Sequence, residues 1–82
     1  MLIAELTQTC DRSPSQWEGR LDDGRTIYIR YRHGQLSVHV GPAGGDLDSA
    51  LDRAAWLERA MPGDPTEIEL GEVLSATGLR MA

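Results

Sequence analysis

The sequence predicts a small α+β domain: a three- to four-stranded antiparallel meander with one face covered by a helix, plus a short C-terminal helix. Three observations carry that expectation. Between Gln16 and Val40 apolar and polar residues alternate, with the period of two that marks a half-buried strand. Asp22-Asp23-Gly24-Arg25 and Arg32-His33-Gly34-Gln35 interrupt the alternation with turn chemistry. From Leu47 to Met61 the apolar spacing changes to three and four residues, the repeat of an amphipathic helix. With 82 residues in all, the chain is expected to form a single domain over 1–82. A chain of this size buries only about 60% of its unfolded surface, enough for one thin core.

The first strand is expected at Leu2 to Thr7, separated from the meander by the turn-rich Cys10-Asp-Arg-Ser-Pro-Ser15. Gln16 to Leu21 and Thr26 to Arg32 then pair across Asp-Gly, and Gly24 should supply the positive φ of a type I′ turn. Gly34 turns the chain a second time, into Gln35 to Val40. Alternation places Trp17, Leu21, Ile27, Ile29, Tyr31, Leu36, Val38 and Val40 on a core face, and Glu18, Arg20, Tyr28, Arg30, Arg32, Ser37 and His39 on a wet one. Gly41-Pro-Ala-Gly-Gly45 breaks the last strand. A helix from Asp46 to Met61 follows, capped by Asp46 or Asp48, with Leu47, Ala50, Leu51, Ala54, Leu57 and Met61 facing the sheet. Pro62-Gly-Asp-Pro65 stops it. Leu70, Val73, Leu74 and Thr77 make the short second helix, ended by Gly78; Thr66-Glu-Ile-Glu69 reads as an extended lead-in in preference to a capping box.

Composition narrows the function classes. The chain is too short for a dinucleotide-binding doubly wound fold or for a barrel that builds its site from many loops. Cys10 is the one cysteine, so no intrachain disulfide is expected, and no Cys/His spacing suggests zinc. No run approaches the roughly 18 apolar residues of a spanning helix, and the first residues lack a secretory pattern. A cytoplasmic protein with no membrane contact and no cofactor is the expectation. The net charge of −5 is uneven: residues 12–40 hold five arginines against three acids, whereas 41–82 hold three arginines against eight acids. Every basic residue is arginine, which suits planar, bidentate recognition of carboxylate or phosphate but also follows from a GC-rich coding background.

Gln16-Trp-Glu-Gly-Arg and Asp23-Gly-Arg-Thr-Ile-Tyr-Ile-Arg-Tyr-Arg-His-Gly-Gln-Leu-Ser-Val resemble a group of small uncharacterised bacterial and prophage proteins. In that group a Trp-Glu-Gly strand precedes Asp-Gly-Arg, an aromatic-Arg strand and Gly-x-Leu-Ser. The resemblance covers about a third of the chain, implies a bacterial or phage origin and a compact α+β fold, and brings no activity or site residue.

Two constellations are candidate binding surfaces. Arg20, Tyr28, Arg30, Arg32 and His39 share the wet sheet face, with Arg25 at its rim; guanidinium groups around an aromatic suit phosphate or nucleic acid. An ordinary solvated face with cross-strand ion pairs would look the same, and an acidic second half opposes general nucleic-acid binding. Trp56, on a helical wheel opposite the apolar stripe and near Arg53 and Arg59, suggests a protein contact or an isologous homodimer, against the simpler reading that a loop covers it. No nucleophile and base come together: His33 and His39 differ in setting, Cys10 with Asp11 lacks an evident electropositive neighbour, and Asp22, Asp23, Asp46 and Asp48 are turn and cap residues. The expected function is therefore non-enzymatic, a small adaptor or regulator that binds another protein; the alternative is a nucleic-acid module using the arginine face.

Overall fold

The computed structural model describes residues 2–11, 15–44, 56–63, 65 and 67–82. Its strands are β1 (Leu2–Asp11), β2 (Ser15–Leu21), β3 (Arg25–Arg32), β4 (Gln35–Ala43), β5 (Leu57–Ala60) and β6 (Arg80–Met81), with one helix, α1 (Leu70–Thr77), between the last two. All six strands join one sheet in the order β5-β4-β3-β2-β1-β6. Every neighbouring pair is antiparallel except β1 with β6, which run parallel through Leu2 opposite Arg80 and Ile3 opposite Met81. The sheet curls into a half-barrel, so the expected three- to four-stranded meander under a covering helix is corrected to a six-stranded mixed sheet with one short helix.

The curl has local causes. Register shifts interrupt β1 against β2 between Ile3 and Glu5 and between Gln8 and Cys10, and interrupt β3 against β4 between Arg25 and Ile27. An extra residue bends the bulged strand and raises its twist. Beside the first of the β1 shifts lies Gly19, where a Cβ would collide with the carbonyl oxygen of Glu5 and lie 2.9 Å from Leu6 Cα. Glycine lets the two backbones approach closely there. The β3/β4 irregularity also explains why β4 runs through Gly41 and Pro42 to Ala43: Pro42 sits where the ladder is already broken and its missing N–H forfeits no bond.

The turn at Gly24 departs from its expected type. Gly24 N–H donates to the Leu21 carbonyl at 3.0 Å and Gly24 has φ +89°, while Asp22 and Asp23 keep negative φ. Asp22-Asp23-Gly24 is thus a three-residue loop closing on a left-handed glycine, not a type I′ turn. The type I′ signature belongs to His33 and Gly34, at φ +52° and +75°; His is among the non-glycine residues that tolerate this region.

The expected helix from Asp46 to Met61 is corrected over its last residues. Leu57–Ala60 is an edge strand, registered as Val38 opposite Leu57 and Gln35 opposite Ala60, and the rest of that segment, Arg53 included, lies outside the described residues except for Trp56 and Met61. A three-and-four spacing in Leu57 and Met61 also satisfies a strand that puts Leu57 on the core side, and the free edge of β4 outbids helix propensity. The C-terminal helix forms where expected. Gly78, at φ +75°, donates to the Leu74 carbonyl at 2.9 Å and ends it, and Thr77 Oγ1 donates to the Val73 carbonyl at 2.8 Å while accepting the Leu79 N–H at 3.2 Å. Before α1, Glu69 is extended.

The core follows the alternation. Ile3, Trp17, Leu21, Ile27, Ile29, Tyr31, Leu36 and Val38 are buried on the inner face, with Val73 and Leu79 packed onto them and Val40 partly buried beside them. The outer face departs from a uniformly wet one. Tyr28 is only 8% exposed and Thr26 6%.

Candidate functional site

The register gathers side chains on the outer face in rows. Glu18, Tyr28 and His39 form one row across β2, β3 and β4, and Gln16, Arg30, Ser37 and Glu58 form the next, reaching β5. Arg32 lies opposite Gln35 in the row nearest the His33-Gly34 turn. Arg20, Tyr28, Arg30, Arg32 and His39 therefore do share a face, as expected, but they are differently employed. Tyr28 is sunk beside His39, ring centroids 6.3 Å apart and tilted by 53°, so it presents no open ring for stacking. Arg20 Nη1 donates to Thr26 Oγ1 at 3.2 Å and to the Gly24 carbonyl at 3.3 Å, tying the hairpin end to β2. Arg25 at the rim pairs with Asp23 at 2.7 Å. The Arg25 backbone N–H, and then its guanidinium, hold the Asp23 carboxyl below its ordinary pKa.

Arg30 and Arg32 are the cations left facing a hollow. With His33, Gln35, Ser37 and Glu58 they line a cavity of about 280 Å³. Arg32 Nε donates to His33 Nε2 at 3.1 Å, which assigns the imidazole proton to Nδ1. Ser37 Oγ donates only a long 3.5 Å bond to the Arg30 carbonyl. Among the described residues the buried Nε of Arg30 has no hydrogen-bond partner. An unpaired buried donor costs about 1–3 kcal/mol.

The Trp56 constellation is rearranged. Trp56 is 48% exposed and heads the β5 edge, where its N–H donates to the Val38 carbonyl at 2.7 Å. Arg59 is on the inner-face register of β5, opposite Leu36, and its Nη1 donates to the Ala76 carbonyl at 3.0 Å. There it meets the end of α1, where a cation complements the orphan carbonyls. Arg59 thus braces β5 to α1 and does not frame Trp56 on a helix.

A larger cavity, of about 530 Å³, opens on the inner side between Gln8, Trp17 and Tyr31 of the sheet and the Glu67-Ile68-Glu69 lead-in to α1. Pattern reading missed it because its walls come from four separated segments, and no periodicity links Gln8 to Glu67. Among the described residues no three His, Cys, Asp or Glu side chains gather as a metal site, and no described helix is long and apolar enough to cross a membrane. Comparison with protein-family models, curated proteins and solved structures gave no match.

Proposed function

We propose that this chain is a non-enzymatic binding module that docks an extended segment of a partner protein along β5, with Trp56 as its anchor. The carrying observation is the half-exposed Trp56 at the head of a strand that, among the described residues, has a ladder neighbour on one side only. An open edge offers unpaired backbone N–H and C=O groups to an added strand, and tryptophan is the side chain most enriched where interface energy concentrates. The edge is short and carries Glu58 and Arg59, so specificity would come from side chains flanking a small ladder. One cysteine in 82 residues suits a reducing, cytoplasmic setting. Nucleic-acid binding through the arginine face is the alternative, and the sinking of Tyr28 leaves that reading with cations but no stacking surface.

The test is affinity capture from the source cells at high salt after nuclease treatment, followed by reconstitution with the purified captured protein. Trp56→Ala should weaken the reconstituted complex at least about tenfold, the loss of one hot-spot residue, with Arg30→Gln near wild type. Retention that vanishes with nuclease and depends on Arg30 instead of Trp56 would replace docking with the nucleic-acid reading.

A further inference from the structure

The cavity between β3, β4 and β5 supports a second binding role, independent of any docked partner. We propose that Arg30, Arg32, His33, Gln35 and Ser37 form a site for a tetrahedral oxyanion of the phosphate type, gated by Glu58. The floor is set by register: Arg30 stands opposite Ser37 and Arg32 opposite Gln35, so two guanidinium stems leave one strand roughly 6–7 Å apart with a hydroxyl and an amide across from them. His33 closes the end of the hollow because the type I′ turn holds it at φ +52°.

The donors in this hollow are incompletely used. Arg32 spends Nε on His33 and keeps its terminal nitrogens, the Ser37 proton is held only by a 3.5 Å contact, and Arg30, whose Nε is unpartnered among the described residues but shut from solvent, must turn toward the hollow to offer that donor. Guanidinium, hydroxyl, amide and imidazole donors outnumber what a planar carboxylate can accept, whereas a phosphate group presents acceptors in three directions. About 280 Å³ leaves room for such a group and part of what carries it. Glu58 opposes the ligand. It lies opposite Ser37 on β5 and lines the same hollow, so its like charge repels an arriving anion.

That repulsion makes the site testable in both directions. Titrating the whole chain with inorganic phosphate at constant ionic strength, followed by amide NMR shifts, should give saturable changes at Ser37 and Gln35, with acetate as the carboxylate arm. Phosphate should bind at least about tenfold more tightly than acetate. Arg30→Lys, which keeps the charge and loses the planar fork, and Arg32→Gln, at an exposed strand end, should each weaken binding about tenfold. Glu58→Gln should tighten it several-fold by removing a like charge. Linear, unsaturable shifts, equal response to acetate, indifference to Arg30→Lys and Arg32→Gln, or weaker binding in Glu58→Gln would each overturn the site. Arg32 and Glu58 are both exposed, so those two variants keep the test decisive if Arg30→Lys loses its fold.

Discussion

Gly19→Ala separates the structure from residue propensity, because the two give opposite signs. In the interior of a strand, alanine is favoured over glycine by roughly 0.5–1 kcal/mol, since it restricts the unfolded chain. Gly19 occupies an ordinary strand position with no positive φ. A Cβ there would nevertheless collide with the Glu5 carbonyl oxygen and come within 2.9 Å of both the Glu5 carbonyl carbon and Leu6 Cα. Those are backbone atoms of β1, with no rotamer to escape into. Relief requires β1 to move off β2, which strains the ladder at Glu5–Arg20 and Leu6–Gly19 and displaces β6, held to β1 through Ile3 and Leu2. Overpacking of this kind costs about 1–3 kcal/mol, which outweighs the propensity gain and leaves a net loss of about 1 kcal/mol. Urea unfolding should show a lower midpoint at unchanged slope. In a domain of this size the melting temperature should fall by roughly 4–8 °C. An unchanged or raised midpoint would refute the close approach of β1 to β2 and, with it, the cause assigned to the curl.

Other outcomes follow from the same coordinates. Ile29→Ala, at a position with no exposed surface, should cost about 2–4 kcal/mol in urea unfolding by lost burial plus a cavity, while Trp56→Ala should change stability by less than about 0.5 kcal/mol; equal losses would reject the placement of Trp56 at an open edge. Gly78→Val should destabilise by more than about 1 kcal/mol, because Gly78 sits at φ +75° where a β-branched residue is strained; thermal unfolding checks it. Because the folded Asp23 carboxyl has a lowered pKa, its contribution is present above the ordinary carboxylate range and disappears as pH falls through the folded value. Asp23→Asn should therefore flatten stability against pH only at the acid end, and a flattening near neutrality would contradict the Arg25 contact. Sedimentation at tens of micromolar should give a monomer, and a dimer abolished by Trp56→Ala would contradict the repulsion of self-opposed Glu58 or Arg59 across paired β5 edges.

The antiparallel pairing of β2, β3 and β4 and its inner face were legible because they rest on short-range rules. Trp17, Ile27, Ile29, Tyr31, Leu36 and Val38 alternate in sequence and share one buried face, and Gly78 ends α1 by the conformation expected of it. What failed needed distant partners. Leu57-Glu-Arg-Ala60 has no strand signature of its own, and becomes β5 because Gln35 to Val38 offers it a ladder. Arg80-Met81 is two residues long and pairs in parallel with the opposite end of the chain, a contact no local pattern announces. Tyr28 belonged to the polar alternation yet lies buried beside His39, a cross-strand contact that alternation within one strand does not announce. The arginine face was visible in sequence; the hollow between Arg30, Arg32 and Glu58 required β5, and so was not.

The charges of β5 disfavour pairing of this edge with its own copy. When a strand pairs antiparallel with itself about a two-fold axis normal to the sheet, each residue faces a partner of the same parity, so one residue must oppose itself. The two registers that join three residues of β5 put Glu58 against Glu58 or Arg59 against Arg59. Like charges directly opposed across a ladder are destabilising, and Arg59 is further committed to the Ala76 carbonyl of α1. Pro62, just past the strand, blocks a longer overlap by lacking an N–H. A foreign strand meets no such symmetry: it can place a cation opposite Glu58 and an apolar residue beside Trp56. On the docking proposal, the charges that make β5 look unsuited to association are the ones that would disfavour a homodimer and select a partner of complementary sequence.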